Sequence, residues 1–267
     1  MVKNKPIGIF DSGVGGLTVA HAIKQTLPGE SIVYFGDTAH LPYGDKSEEA
    51  IRSYSIKITK FLLEFDAKVV LVACNSASAS AFEVLKKEFG DKTIVLDVID
   101  PVVDYICTRT FRKTGVIGTK RTISSGTYED KVRAKGSKTE VVSIATPLLV
   151  PMIEEGFIFD DISNAIIRAY LSNPSFNDID ALVLGCTHYP IIRNQISKFF
   201  NFNVEVVDSA RIVSQSVRSV LEAKNMLNTG KKEIDKFFVS DHTAWFERIA
   251  KMFFEGDINL AKADIWA

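Results

Sequence analysis

Two of the three cysteines in this chain, Cys74 and Cys186, occupy the same kind of sequence position. Each ends a short apolar run and is followed by small polar residues at which a helix can begin. Those residues are Asn75 and Ser76 after the first cysteine, and Thr187 and His188 after the second. The positive end of a helix lowers the pKa of a thiol, so both positions are predicted to hold reactive sulfur. The third cysteine, Cys107, lies in an apolar helical run and is interpreted as packing.

Two opposed thiols are suited to stereoinversion at a carbon acid. If one is ionised and the other protonated, the thiolate removes the α-proton while the thiol donates a proton to the opposite face. The carbanion needs electrostatic stabilisation, which backbone N–H groups and nearby polar side chains can supply. The candidate side chains are Ser12, Asn75, Ser76, Thr119 and Thr187.

A glycine-rich turn, running from Asp11 to Thr18, follows the first apolar run. The backbone N–H groups of such a turn suit a carboxylate or a phosphate. The turn departs from the dinucleotide-binding pattern, because Thr18 stands where that pattern needs Gly or Ala, and because Asp11 would repel a pyrophosphate. Asp11 either caps the following helix or, if the first and third strands are neighbours, lies beside Cys74.

Three further sets of polar residues carry weaker signals. The loop 37–46 contains Tyr43 and Gly44 and is either a substrate-facing loop or a surface turn. The pair Glu154-Glu155 is, from its residues alone, a solvated helix face. The histidines have no spacing typical of metal ligands, so no metal site is predicted.

The bulk composition is that of an ordinary globular protein. The chain has 267 residues, of which 46% are hydrophobic, and a formal net charge of −1. Without a basic excess, neither nucleic acid nor an anionic membrane is an expected partner. No apolar run approaches the roughly 18 residues of a membrane span, and the N-terminus has no signal-peptide core. A cytoplasmic location with free thiols is therefore predicted.

Short apolar runs alternate with longer amphipathic ones, which predicts an α/β fold with mainly parallel sheets. Predicted strands are 7–10, 31–35, 69–73, 93–96, 115–117, 141–144, 181–184, 204–207 and 237–239. Predicted helices include 17–26, 47–65, 77–88, 101–109, 162–171, 191–200 and 210–227. The segments around 115–122 and Cys186 repeat the design of those around 7–12 and Cys74. We therefore expect two similar lobes, with both cysteines at one cleft, where the carboxyl ends of parallel strands bind ligands.

Four segments together resemble bacterial glutamate racemase. They are IFDSGVGGLT at 9–18, GDTAHLPYG at 36–44, VACNSASA at 72–79 and LGCTHYP at 184–190. Their order and spacing and the length of the chain agree with that family from the first strand onward. The broader aspartate/glutamate racemase group shares the cysteine pair, whereas the DSGVGG turn and the PYG loop favour the glutamate branch.

The resemblance implies an isomerase that interconverts L- and D-glutamate with no cofactor and no metal. Position by position, it implies that Cys74 and Cys186 are the acid/base pair, that Asp11 supports Cys74, and that His188 lies beside Cys186. Glu154 matches a supporting glutamate of the family, which replaces the solvated-face interpretation. The substrate-binding residues that it implies are Asp11, Ser12, Tyr43, Gly44, Asn75, Ser76, Thr119, Cys186 and Thr187.

The resemblance also implies an architecture and a setting. The first of two pseudo-symmetric lobes would comprise residues 1–97 and 208–267, and the second residues 98–207. A homodimer is expected, as is a role in supplying D-glutamate for peptidoglycan.

Three alternatives remain open at this point. An aspartate racemase, or a related amino-acid racemase of the same group, would use the same cysteines. A hydrolase or amidotransferase built on Cys186 and His188 would leave Cys74 without a role. A cytoplasmic amino-acid-binding or redox-sensing module, in which the two thiols form a disulfide, would bind its ligand without turnover.

Overall fold

A computed structural model describes residues 2–254 and 258–266, and within these ranges the chain forms ten β-strands and eleven α-helices. The strands are β1 (Ile7–Asp11), β2 (Ile32–Gly36), β3 (Val69–Val72), β4 (Ile94–Asp97), β5 (Lys113–Gly118), β6 (Glu140–Ala145), β7 (Ala181–Gly185), β8 (Glu205–Val207), β9 (Lys236–Val239) and β10 (Leu260–Lys262). The helices are α1 (Leu17–Thr26), α2 (Glu48–Glu64), α3 (Asn75–Phe89), α4 (Asp100–Cys107), α5 (Lys120–Ser124), α6 (Thr127–Ala134), α7 (Leu149–Glu154), α8 (Asp161–Leu171), α9 (Arg193–Phe199), α10 (Ser209–Ala223) and α11 (Ala244–Phe253).

The strands form two parallel sheets. In the described residues the first sheet has the order β10-β9-β2-β1-β3-β4 and the second has the order β6-β5-β7-β8. The run β2-β1-β3-β4 of the first sheet therefore has the same connectivity as the whole second sheet. This confirms the predicted α/β fold with two pseudo-symmetric parallel sheets.

In each sheet, the next two strands along the chain lie on opposite sides of the first strand. The chain adds β2 on one side of β1 and β3 on the other, and it adds β6 and β7 on opposite sides of β5 in the same way. In open parallel sheets the loops at such a reversal separate and leave a crevice at the carboxyl ends of the strands. Cys74 and Cys186 follow β3 and β7, so each lies at the crevice of its own sheet.

Both faces of the first sheet are buried by helices, which is why apolar residues or glycine occupy β1, β2 and β3 at every position except Asp11. Residues alternate between the faces along each strand. Leu71 packs in the cluster that contains apolar residues of α1, α10 and α11, whereas Val70 and Val72 pack in the cluster that contains those of α2 and α3. The first of these clusters also includes Leu182 of β7, so one apolar core continues from one sheet to the other.

A buried ion pair and two hydrogen bonds join Lys68 to three distant segments near the amino ends of the strands. Lys68, just before β3, lies 2.6 Å from a carboxylate oxygen of Glu30, and the two side chains are 0% and 2% exposed. Lys68 also donates hydrogen bonds to the carbonyl oxygens of Lys3 and Met226. The beginning of the chain and the segment after α10 are thereby held against the first sheet.

The predicted strands all exist, with ends that differ by at most two residues from the observed ones. The sequence reasoning missed β10 and the helices α5, α6, α7 and α11. The strands of the first sheet lie within residues 7–97 and 236–262, and those of the second sheet lie within residues 113–207. The domain boundaries near 97 and 207 stay a prediction. None of the described helices has both the length and the hydropathy that crossing a bilayer requires.

Candidate active site

A cavity of about 260 Å³ lies where the carboxyl ends of the two sheets meet. Both Cys74 and Cys186 line it, although they come from different sheets. The other lining residues are Ser12, Leu41, Pro42, Tyr43, Gly44, Asp45, Asn75, Ser76, Thr119, Lys120, Thr146, Pro147, Val150, Pro151, Glu154, Thr187 and His188. Every residue that the sequence nominated for the site is in this set except Asp11.

Cys74 caps the N-terminus of α3 and is 6% exposed. Its sulfur lies 3.7 Å from the hydroxyl oxygen of Ser12. Burial, together with the nearby carboxylate of Asp11, raises the pKa of the Cys74 thiol to about 12. The predicted lowering of this pKa was wrong, because the backbone N–H of Ala77 and the Ser12 hydroxyl act in the lowering direction but are outweighed by desolvation.

Asp11 is buried and does not line the cavity. It ends β1, which is the neighbour of β3, and its side chain is fully buried. One carboxylate oxygen accepts hydrogen bonds from the N–H groups of Gly13 and Gly16, each at 3.0 Å. Burial raises the pKa of Asp11, while the positive charge of His188 and these N–H groups oppose the rise.

Steric crowding explains why position 16 holds glycine. A Cβ atom on Gly16 would lie 2.5 Å from the Cβ of Asp11, closer than such atoms can approach. The glycine-rich turn therefore brings its backbone against the Asp11 carboxylate, and Asp11 occupies the N–H groups that the sequence reasoning assigned to a substrate anion.

Cys186 begins a chain of side chains in the second lobe. Its sulfur lies 3.7 Å from Nδ1 of His188, and Nε2 of His188 lies 3.0 Å from a carboxylate oxygen of Glu154. Burial lowers the pKa of His188, but the hydrogen bonds to Cys186 and Glu154 outweigh it and raise the pKa to about 10. The imidazole is therefore a cation at neutral pH, and this cation lies beside the Cys186 sulfur.

A hydroxyl cluster joins the two lobes across the cavity. Ser76, in the first turn of α3, lies with its hydroxyl 2.8 Å from that of Thr119, which caps α5 in the other lobe. Thr122 completes the cluster, with its hydroxyl 3.1 Å from that of Thr119. Gly44 packs closely over Thr119, because a Cβ atom added to it would lie 2.8 Å from the Cβ of Thr119.

The structure separates the two interpretations of the loop 37–46. Tyr43 is 1% exposed, and its hydroxyl donates a hydrogen bond of 2.7 Å to Asp37. Tyr43 and Gly44 both line the cavity, so this loop forms one wall of the cavity rather than a free surface turn.

Three polar residues that line the cavity, Asp45, Lys120 and Thr146, escaped the sequence reasoning, as did Tyr128, which contacts a lining residue. Lys120 and Asp45 come from different lobes and form an ion pair of 3.2 Å at exposed positions. Tyr128 of α6 donates a hydrogen bond of 2.8 Å to Oδ1 of Asn75. Lys120 directly follows Thr119, so its proximity to the site could have been predicted from the sequence. Nothing local in the sequence pairs Tyr128 with Asn75.

The remaining candidates lie elsewhere. Cys107 is half-buried at the end of α4 and does not line the cavity. His40 lies 2.9 Å from the carboxylate of Asp37 and stacks on Tyr54. Within residues 2–254 and 258–266, no group of three or more His, Cys, Asp or Glu side chains is arranged to hold a metal ion.

Comparisons with known proteins agree with this parallel α/β fold and with a site that takes a thiol from each sheet. The model of the Asp/Glu/Hydantoin racemase family matches residues 8–217. The chain is 42% identical over 255 residues to glutamate racemase of Chlorobium phaeobacteroides, covering 95% of this chain and 93% of the relative. It is also 42% identical over 257 residues to glutamate racemase of Geobacter metallireducens, covering 95% and 94%.

Solved structures agree with these relatives. The crystal structure of glutamate racemase from Francisella tularensis in complex with D-glutamate superposes with a TM-score of 0.92 at 36% identity, covering 99% of each chain. A glutamate racemase isoform from Bacillus anthracis superposes with a TM-score of 0.93 at 34% identity, covering 98% of each chain. The chain belongs to the Asp/Glu/Hydantoin racemase family.

Proposed function

We propose that this protein is an isomerase that interconverts L- and D-glutamate, with Cys74 and Cys186 as the two acid/base groups. The observation that carries the proposal is the placement of two thiols, one from each sheet, at the same small cavity. The 42% identity to glutamate racemases favours glutamate as the substrate. An aspartate racemase superposes with a TM-score of 0.57 at 21% identity, which supports only the shared fold.

The reaction is a proton exchange at one carbon. A thiolate on one side takes the proton from Cα and becomes a thiol, and the electron pair of the broken C–H bond remains on the substrate. The thiol on the other side gives its proton to the opposite face of Cα and becomes a thiolate. No other bond changes, and the reverse reaction exchanges the roles of the two sulfurs.

The supporting residues divide by lobe in this proposal. In the second lobe, the cation of His188, held by Glu154, stabilises negative charge on Cys186. In the first lobe, Asp11 and burial keep Cys74 protonated. Asp11 supports Cys74 from below and does not line the cavity, so substrate contacts are assigned to the lining residues. These are Ser12, Tyr43, Gly44, Asn75, Ser76, Thr119 and Thr187.

Circular dichroism of L-glutamate incubated with the purified protein, without an added cofactor, tests the proposed activity. The optical signal should decay to zero, since the two enantiomers are equally stable. L-Aspartate incubated in parallel should change far more slowly. No decay with either amino acid overturns the racemase proposal, and equal rates on both overturn the assignment to glutamate while leaving the two-thiol chemistry intact.

Substitution of each cysteine tests the division of roles. Cys74→Ala and Cys186→Ala should each abolish racemisation in both directions, because inversion in either direction needs one sulfur to remove the proton and the other to deliver a proton to the opposite face. Cys107→Ala removes the same thiol outside the cavity and should leave turnover nearly intact. Near-normal racemisation by either of the first two variants means that a single base serves both faces.

Isotope incorporation gives an independent test. In D2O, the D-glutamate formed from L-glutamate should carry deuterium from the first turnover, because its new proton comes from a solvent-exchanged thiol. Recovered L-glutamate should remain largely unlabelled at early times, because the base that took its proton returns that proton. Equal early labelling of substrate and product contradicts the two-base proposal.

The biological setting belongs to the same proposal. We propose that the protein supplies D-glutamate for peptidoglycan and that it acts in the cytoplasm. We also propose that the protein is a homodimer, which sedimentation or light scattering at working concentrations would test.

A further inference from the structure

We infer that Tyr128 is a positioning residue that fixes the side-chain amide of Asn75, so that the amide presents its N–H donors to a substrate carboxylate. The hydroxyl of Tyr128 donates a hydrogen bond of 2.8 Å to Oδ1 of Asn75. Tyr128 and Asn75 are 1% and 2% exposed. This inference rests on the proposed function, because it assumes that Asn75 contacts the substrate.

The two ends of the Asn75 amide have different surroundings. Oδ1 is occupied by the Tyr128 hydroxyl, whereas Nδ2 is buried and has no hydrogen-bond partner among the described residues. A buried donor without a partner costs about 1–3 kcal/mol. Asn75 lines the cavity, so a bound carboxylate can supply the missing acceptor.

An amide side chain can rotate by half a turn and exchange its oxygen and nitrogen at little steric cost. In the rotated state Oδ1 would meet the substrate carboxylate, and two acceptors would repel each other. The Tyr128 hydroxyl opposes this rotation as long as it acts as a donor. Burial, with added effects of Asp97 and Cys186, raises the pKa of Tyr128, so the hydroxyl keeps its proton over the working pH range.

The contact also crosses between lobes. Asn75 begins α3, directly after Cys74, and Tyr128 lies in the first turn of α6 in the second lobe. Tyr128 is buried in the apolar cluster that contains Val102, Val116 and Val183, and this cluster includes residues of the second sheet. The donor orientation at Asn75 is therefore set only when the two lobes are docked as in this structure.

The Tyr128→Phe variant removes the hydroxyl and keeps the ring. If the Asn75 donors hold the carboxylate equally in the ground and transition states, KM for glutamate should rise about tenfold with kcat nearly unchanged. Tenfold corresponds to about 1.4 kcal/mol, the scale of one neutral hydrogen bond. Tyr105→Phe is the matched control, because it removes a hydroxyl in the same lobe whose partner is Glu205, outside the cavity.

A double-mutant comparison separates positioning from a general loss of stability. In an Asn75→Ala background, adding Tyr128→Phe should leave kcat/KM unchanged, because the amide that Tyr128 orients is gone. An equal loss in both backgrounds overturns the inference, as does a fall in Tm with wild-type KM. Failure of the wild-type protein to racemise glutamate is a separate result and overturns the proposed function together with this inference.

Discussion

Replacing Glu154 with Gln should lower the pKa of His188 and move the alkaline limit of activity to lower pH. Glu154 is 25% exposed at its side chain and lies 3.0 Å from Nε2 of His188. Gln keeps an acceptor oxygen but loses the charge. Hydrogen bonds to charged groups contribute about 1.5–3 kcal/mol and neutral ones about 0.5–1.5 kcal/mol, so the difference is about one pKa unit.

The sign follows from the form that the interaction stabilises. The pKa of His188 is raised to about 10, so the cation persists through neutral pH and is lost as the pH rises through that value. Glu154→Gln weakens the cation, and the falling limb of kcat/KM should therefore move down by about one pH unit, with activity near pH 7 least affected. The profile is measured from about pH 6 to 11, with a ¹⁵N NMR titration of the His188 ring beside it.

Glu155→Gln is the matched control, since it removes the same charge from the next, exposed position. It should leave the limb in place. An unmoved limb in Glu154→Gln, or an equal shift in both variants, would refute the assignment of the alkaline limb to the Glu154–His188 hydrogen bond.

Two predictions concern stability. Lys68→Met leaves the buried carboxylate of Glu30 unpaired and should cost about 3–5 kcal/mol in urea unfolding, whereas Lys60→Met, at an exposed pair with Glu88, should change stability by less than about 1 kcal/mol. Similar losses in both variants would contradict this. Burial, with Asp100 adding to it, raises the pKa of Asp97 to about 7, so the fold prefers the neutral acid and the free energy of unfolding falls as the pH rises from about 4 to 7. Asp97→Asn should therefore be more stable than wild type by up to about 4 kcal/mol at about pH 8, and it should differ little from wild type at about pH 4. Equal differences in Tm between variant and wild type at both pH values would contradict this prediction.

The elements of the two sheets could be predicted from sequence because their strands are apolar at consecutive positions. The elements that escaped are short or atypical. Helix α5 has five residues, and β10 has three and lies at the edge of its sheet beside β9. The predicted end of α10 was four residues too late, since Asn225 adopts a φ of 54°, in the left-handed region, and the chain turns there.

The site was predictable to the extent that its residues follow strands. Cys74 and Cys186 each come directly after a central strand, so the rule for parallel sheets places them at the cleft. The pKa of Cys74 was not predictable, because the helix position was visible in the sequence whereas the depth of burial and the effect of the Asp11 carboxylate were not. Contacts between lobes, such as that of Tyr128 with Asn75, depend on how the sheets dock and leave no local pattern.

The two sulfurs lie at equivalent positions of equivalent sheets, yet their electrostatic surroundings are unequal. A buried carboxylate lies near Cys74, and an imidazolium lies 3.7 Å from Cys186. In the two-thiol mechanism proton transfer from the two enantiomers therefore starts from unequal surroundings, with a carboxylate near one sulfur and a cation near the other. L- and D-glutamate have equal free energies, so kcat/KM must nevertheless be the same in both directions for the wild type and for every variant. The asymmetry can appear only in kcat and KM separately, with both larger in one direction by the same factor. Glu154→Gln, which weakens the cation beside Cys186, should reduce that factor while the two values of kcat/KM stay equal. Measuring initial rates from each enantiomer checks this, and a factor that is unchanged by Glu154→Gln would show that the His188 cation is not the source of the asymmetry.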